Sequence, residues 1–129
     1  MTYWLGIDSP EVWEEAKQKY DLNAPQPFGF REGRRKSVQK IQIGDYIVNY
    51  MTKYSRFFAV WEVTKEWFYD PNYTLAGEVY SECVEVRPVV MLEPEEGIEN
   101  PGVLVRQAAI RLEDEVGERI LNALRDRAR

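Results

Sequence analysis

The sequence contains no histidine, only one cysteine, Cys83, and no uninterrupted apolar run long enough to cross a bilayer. Each absence removes a class of chemistry. Without histidine there is no Ser-His or Cys-His nucleophile pair, none of the usual zinc sites and no imidazole base. Catalysis would have to rest on carboxylates, lysine or tyrosine. A single cysteine excludes an intrachain disulfide. Cys83 falls in an alternating apolar run and reads as a small core residue rather than a reactive thiol. The opening MTYWLGIDSPEVWEEAK has no basic start followed by an apolar run, so neither a secretory signal nor an anchor is read there. The expectation is a soluble, cytoplasmic protein with no membrane partner. The net charge of -5 means that the surface as a whole does not advertise nucleic acid.

What is present is a chain of 129 residues, suited to one domain over 1–129 with a core of its own, and unusually rich in aromatics at 13%. Large aromatics supply core area, and they also supply flat binding faces. YWLGI (3–7) reads as a first strand. DSPEVWEEAKQKY starts a helix: Ser9 is a good N-cap, Pro10 suits the first helical position, and Glu11, Glu14 and Glu15 complement the positive end of the dipole. Trp13, Ala16 and Tyr20 fall on one face of it. DLNAPQPFGFREGRRKS breaks regular structure with prolines and glycines and reads as a long loop, of the kind that tends to be functional. Basic residues crowd its end: Arg31, Arg34, Arg35 and Lys36 stand against one acid, Glu32.

KIQIGDYIVNYM turns at Gly44-Asp45 and leaves as a strand, and RFFAVWEVTKEW pairs with it. Alternation assigns Phe57, Ala59, Trp61 and Val63 to one face and Phe58, Val60, Glu62 and Thr64 to the other. WFYDPNYTLAGE reads as a second aromatic loop, VYSECVEVRPVVML as a strand and EPEEGIENPG as an acidic turn. VLVRQAAIRL is ambiguous between strand and helix. EDEVGERILNALRDRAR is an amphipathic helix with Val116, Ile120, Ala123 and Leu124 inward. The order implies an α+β fold with a strongly curved, barrel-like sheet and helices at its ends.

TYWLGIDSPEVWEEAKQ, KIQIGDYIVNY, FFAVWEVTKEWFYD and VEVRPVVML, in that order and spacing, resemble the EVE domain of the PUA-like superfamily, whose relatives include YTH and ASCH domains. The resemblance runs from Thr2 to about Leu92. It implies a PUA-like curved β-barrel with flanking helices and a role in binding nucleic acid. In YTH and some EVE domains a modified base is turned out of its strand and held between aromatic walls. It also implies a place as reader module of a modification-dependent restriction system of the McrBC type, with a motor or nuclease module fused or associated. By the same resemblance Ile7, Asp8 and Ser9 form the segment that touches the base edge, with Trp13 one turn beyond. Phe28, or alternatively Phe30, with Gly29 between them, stands where relatives carry a tryptophan wall. Trp67, Phe68 and Tyr69 are candidates for the second wall. Many EVE domains carry further aromatics before the last helix, and NPGVLVRQAAIRLEDE has none.

The blander readings compete residue by residue. In an extended chain Phe28 and Phe30 point opposite ways, so one can plug the core while the other faces a ligand. A basic run is usually a solvated loop. Beside aromatics it suits phosphate contacts, so Arg31, Arg34, Arg35 and Lys36 are taken as phosphate-binding. Trp4, Phe57 and Trp61 are expected inside. Asp45 and Asp70 are explained by their turns, and no catalytic set, metal site or cofactor is read. The expected function is a non-enzymatic reader of a modified base in DNA, 5-methylcytosine or a related base, or 6-methyladenine. The alternative is a standalone RNA-binding domain with no modified-base requirement, and a third reading is an ASCH-like enzyme working through Lys53 or Lys65.

Overall fold

The computed structural model of the protein describes residues 1–129. A seven-stranded, strongly curled sheet forms a half-barrel, and three helices flank it. The elements are β1 (Tyr3–Asp8), α1 (Pro10–Lys19), β2 (Gln26–Phe30), α2 (Arg35–Val38), β3 (Tyr46–Met51), β4 (Arg56–Tyr69), β5 (Thr74–Leu75), β6 (Glu78–Val79), β7 (Glu82–Met91), β8 (Ile98–Glu99), β9 (Arg111–Leu112) and α3 (Asp114–Arg127). The main sheet runs β2-β7-β4-β3-β1-β9, with β8 also paired to β4. β1 and β3 are parallel, which the intervening α1–β2–α2 crossover allows, and the other pairs are antiparallel. β5 and β6 form a separate small hairpin.

Local chemistry fixes the joints. Ser9 Oγ accepts from Val12 N at 3.3 Å and Pro10 opens α1, as the capping signals predict. The Asp45 carboxylate accepts from Thr2 N at 2.9 Å, Gln42 N at 2.9 Å and the buried Trp4 Nε1 at 3.0 Å, so the Gly44-Asp45 turn also clamps the start of β1. Two cores lie on the two sides of the sheet. One holds Trp4, Trp13, Phe30, Phe58, Trp61 and Val86 inside the curl. The other, against α3, holds Tyr3, Leu5, Phe57, Val60, Ile120 and Leu124. Gly117 lets α3 approach β1: a Cβ there would stand 2.2 Å from Tyr3 Cγ.

The structure departs from the sequence reading in four places. PFGF is not loop but the strand β2, in register with β7 from Phe28↔Val84 to Phe30↔Glu82. Trp67, Phe68 and Tyr69 are likewise the end of the 14-residue β4 rather than a loop. The basic run forms a 3₁₀ turn, Glu32–Arg34, leading into α2. The strict alternation along β4 fails because the β3–β4 register shifts between Asn49 and Tyr50, skipping Phe58. A bulge of this kind turns two successive residues to the wrong parity, so Phe57 enters one core while Phe58 and Ala59 enter the other. The ambiguous VLVRQAAIRL is mostly irregular, ending in the two-residue β9.

Candidate binding cleft

An open cleft of about 790 Å³ lies between the end of β1, β2 and the irregular segment before β9. Its floor and walls come from Ile7 and Ser9 at the β1–α1 joint, Val12 on α1, Phe28, Gly29 and Phe30 on β2, and Ala76 and Tyr80 around the β5–β6 hairpin. Thr52, Gln107 and Ala108 complete the far side. Two glycines make the aromatic packing possible. A Cβ on Gly29 would meet Tyr73 Cε2 at 2.5 Å and Tyr80 Cβ at 2.7 Å, and one on Gly6 would meet Phe28 Cζ at 2.7 Å. The tip of the Phe28 ring therefore occupies the space over β1 that a side chain at Gly6 would fill. Its ring centroid is 5.3 Å from that of Phe30, which is itself buried.

Charge at the cleft is mixed, with Arg31, Arg34 and Arg106 against Glu11 and Glu78. The three arginines differ in what they are free to do. Arg31 pairs with Glu78 and lies over the Tyr80 ring at 5.3 Å. Arg34 donates from Nε to Ala108 O at 2.8 Å and from Nη2 to Ser37 Oγ at 3.0 Å and Ala109 O at 3.4 Å, tying the basic turn to the segment before β9. These acceptors are neutral, so Arg34 keeps its positive charge in the cleft. Arg106 is exposed and has neither a hydrogen bond nor an ion pair.

Of the sequence candidates, Ile7, Ser9, Phe28, Gly29, Phe30, Arg31 and Arg34 come together here. Asp8, Trp13, Trp67, Phe68, Tyr69, Arg35 and Lys36 do not line the cleft. The β4 end is organised by a different centre, the fully buried side chain of Glu82. That carboxylate accepts from Arg35 Nε at 2.7 Å, Arg35 Nη2 at 3.2 Å, Ser81 Oγ at 2.6 Å and Trp67 Nε1 at 2.9 Å. Burial pushes the Glu82 carboxyl up, but these donors outweigh burial and hold it below the ordinary glutamate range. Phe68 packs on the small core of Val12, Tyr73, Leu75 and Cys83, with Lys65 Nζ 4.6 Å from its ring. Tyr69 is exposed beneath the Arg35 guanidinium, 5.1 Å away. Lys36 is exposed on α2. Cys83 is buried, and burial pushes its thiol up to about 12.

Beside Phe28 and Tyr80 lies a second, much smaller void of about 30 Å³, lined by Asp8, Trp13, Asn49, Trp61 and Tyr73 among others. Its lining is mostly apolar, with Asp8, Gln26 and Asn49 as polar exceptions. Asn49 is fully buried; its Oδ1 accepts from Trp61 Nε1 at 3.0 Å, which turns Nδ2 towards the neighbouring Asp8 carboxyl. Trp13 Nε1 is buried without a partner, its ring packed edge-on against Phe58. Asp8 is half-buried as a residue, and loss of solvent around its carboxyl raises it to about 7, partly offset by the nearby Asn49 amide. Sequence reasoning missed Asn49, Tyr73, Tyr80 and Arg106. Asn49 interrupts the apolar IVNYM at an inward position, which was the one available signal.

A curled half-barrel with one aromatic cleft at the end of its parallel strand pair defines a PUA-like fold. The sequence profile of the EVE domain matches residues 2–103, and the chain belongs to the EVE domain family. Solved structures of similar fold include the YTH domain of Mmi1 in complex with RNA, at 10% identity, 97% of this chain, 78% of that chain and a TM-score of 0.65. Another is the YTH domain of Zygosaccharomyces rouxii MRB1 in complex with N6-methyladenosine RNA, at 12% identity, 95% of this chain, 83% of that chain and a TM-score of 0.66. A third is Rpa0253 from Rhodopseudomonas palustris, at 20% identity, 68% of this chain, 61% of that chain and a TM-score of 0.51. These identities speak to fold. Comparison with proteins of curated function gives no significant match.

Proposed function

We propose that this domain is a non-enzymatic nucleic-acid reader that holds a flipped, methylated base in the cleft. The observation that carries the reading is the aromatic lining of a cleft of about 790 Å³, Phe28 and Tyr80 above all, beside an unpaired arginine, Arg106. A stacked base gains roughly 1–3 kcal/mol per aromatic face, which offsets an unstacking cost of a few kcal/mol. Ile7 and Ser9 meet the base edge, Phe28 with Gly29 and Phe30 forms the stacking wall, and Arg31 and Arg34 meet the backbone with Arg106. Trp67, Phe68, Tyr69 and Arg35 serve the frame around Glu82 and the small core, and Lys36 adds long-range charge. The reading places the domain as the DNA-recognition module of a modification-dependent restriction system, working with a motor or nuclease module. Fluorescence anisotropy with matched oligonucleotides, methylated and unmethylated, is the test. Tighter binding to one methylated strand, lost in Phe28→Ala, is expected; equal weak binding to all, unchanged by Phe28→Ala, refutes it.

A second reading, an RNA-binding domain with no modified-base requirement, is favoured by the similar fold of Mmi1 solved with RNA. A matched DNA and RNA panel separates the two, because an RNA site uses the 2′-hydroxyl.

A further inference from the structure

Between β8 and β9, residues 102–109 run along the far side of the cleft as a strap. One end is fixed by Asn100, whose side chain accepts from Gly102 N at 3.0 Å and Val103 N at 2.7 Å and donates to Val103 O at 2.8 Å. The other end is fixed by the buried Ala109, whose N donates to Leu5 O at 2.7 Å. Both ends are left-handed, Gly102 at φ 110° and Ala109 at φ 60°. Glycine adopts that conformation freely and alanine does not, so the seat at Ala109 is strained. Between the ends, residues 104–108 make no backbone–backbone hydrogen bond. Val103 and Val105 pack on the α3 side, while Leu104 and Arg106 are exposed. Few backbone bonds and a strained seat describe a segment that opens locally. What holds its cleft side is Arg34, through Nε to Ala108 O at 2.8 Å and Nη2 to Ala109 O at 3.4 Å. Nη1 of the same guanidinium has no partner in the protein, and both Arg34 and Arg106 border the cleft.

We propose that Arg34 is a positioning residue that couples a backbone phosphate in the cleft to the strap, so that the ligand itself stiffens the strap and seats Arg106. This rests on the nucleic-acid reading above and adds how the site is assembled. An arginine carries five N–H donors in one rigid plane. Here Nε and Nη2 are spent on Ala108 O, Ser37 Oγ and Ala109 O. The two donors on Nη1 are left for a phosphate, which takes charge-assisted bonds from a guanidinium. A phosphate on Nη1 fixes the plane, and a fixed plane holds both strap carbonyls. The strap then stops opening, and Arg106 meets the strand without the entropic cost of ordering a loose segment. The coupling is reciprocal: what the phosphate adds to the strap, the strap adds to the affinity. Arg31 has no such route, because it pairs with Glu78 and has no hydrogen bond to the strap. A lysine at position 34 keeps the charge but has no plane to span a phosphate and two carbonyls.

The test is amide hydrogen exchange read by NMR on the whole chain, free and saturated with the tightest-binding oligonucleotide of the DNA and RNA panel. The Ala109 amide reports the strap, and the amides of β3 report global unfolding. In the unaltered protein the oligonucleotide slows exchange at Ala109 by about fivefold or more beyond its effect on β3, the low end for coupled sites. Arg34→Lys abolishes that excess and lowers the affinity by about fivefold. The slope of log affinity against log salt stays within about one unit, because the charge remains. Arg106→Gln weakens binding, yet at saturation it keeps the excess slowing at Ala109, because Arg34 still carries it. Exchange at Ala109 that is unchanged, faster, or slowed only as much as β3 in the unaltered protein overturns the proposal without needing any variant. So does excess slowing that survives Arg34→Lys, or that vanishes in Arg106→Gln and so belongs to the strap's own contact. Methyl-dependent binding with no response at Ala109 overturns this inference and leaves the reader function standing; no binding to any strand overturns both.

Discussion

Replacing Trp67 with phenylalanine separates a frame role from a ligand role at the residue where the two readings differ most sharply. Trp67 Nε1 donates to Glu82 Oε1 at 2.9 Å, one of four donations to a carboxylate whose side chain is fully buried. Phenylalanine retains much of the ring packed on the inner core and deletes the donor. A hydrogen bond to a charged group contributes about 1.5–3 kcal/mol. The volume lost between indole and phenyl adds about 1 kcal/mol. The variant should therefore be less stable by about 2–4 kcal/mol. With a urea dependence of about 1–3 kcal/mol per molar for a domain of this size, its unfolding midpoint should fall by roughly 1–2 M. Oligonucleotide affinity, measured where both proteins are folded, should stay within about twofold, because the indole lies outside the cleft. The reasoning is refuted by the opposite pattern: stability changed by less than about 0.5 kcal/mol, the ordinary span of a surface substitution, with affinity reduced tenfold or more. That result would put the indole against the ligand and not on Glu82.

The two perturbed carboxyls predict opposite pH responses. Asp8 sits at about 7 when folded, above its unfolded value, so it favours folding when protonated and that contribution is lost as the pH rises towards 7 and beyond; Asp8→Asn should raise the urea midpoint at pH 8 and leave it nearly unchanged at pH 4. Glu82 is depressed when folded, so its contribution is present above the ordinary glutamate range and lost as the pH falls through its lowered value; Glu82→Gln should flatten the acid limb of the stability profile. Gly117→Val should destabilise by about 1–3 kcal/mol through overpacking against Tyr3, read by thermal denaturation. Arg34→Gln should free the segment before β9, seen as faster hydrogen exchange at the Ala109 amide, which now donates to Leu5 O at 2.7 Å.

The capped first helix, the Gly44-Asp45 turn and the amphipathic last helix were legible because their signals are local. A cap acts over three residues, a turn over four, and a helix face repeats within one segment. The inward positions of Trp4, Phe57 and Trp61 came from the same short-range patterning. Along β4 alternation assigned Ala59, Trp61 and Val63 to one face and Val60 to the other, as the two cores hold them, but the faces of Phe57 and Phe58 were not legible, because a bulge set by the pairing with β3 exchanges them.

The two aromatic segments show where sequence stops. Prolines and glycines mark both as loops, yet Gly29 sits in β2 because Tyr73 and Tyr80 need its missing side chain, and Trp67 lies near the end of a strand because Glu82 draws its indole inward. Those partners lie 44, 51 and 15 residues away in the chain.

By itself the sequence determined the two long helices, most of the strands, the family and the side chains available for a cleft. The tertiary structure decided which of them meet: Phe28 on Gly6, Arg34 on Ala108, Asn49 beside Asp8. Helix and turn signals are energies of neighbouring residues. A cleft is an energy of residues brought together by strand register, and that register is chosen only when the whole sheet closes.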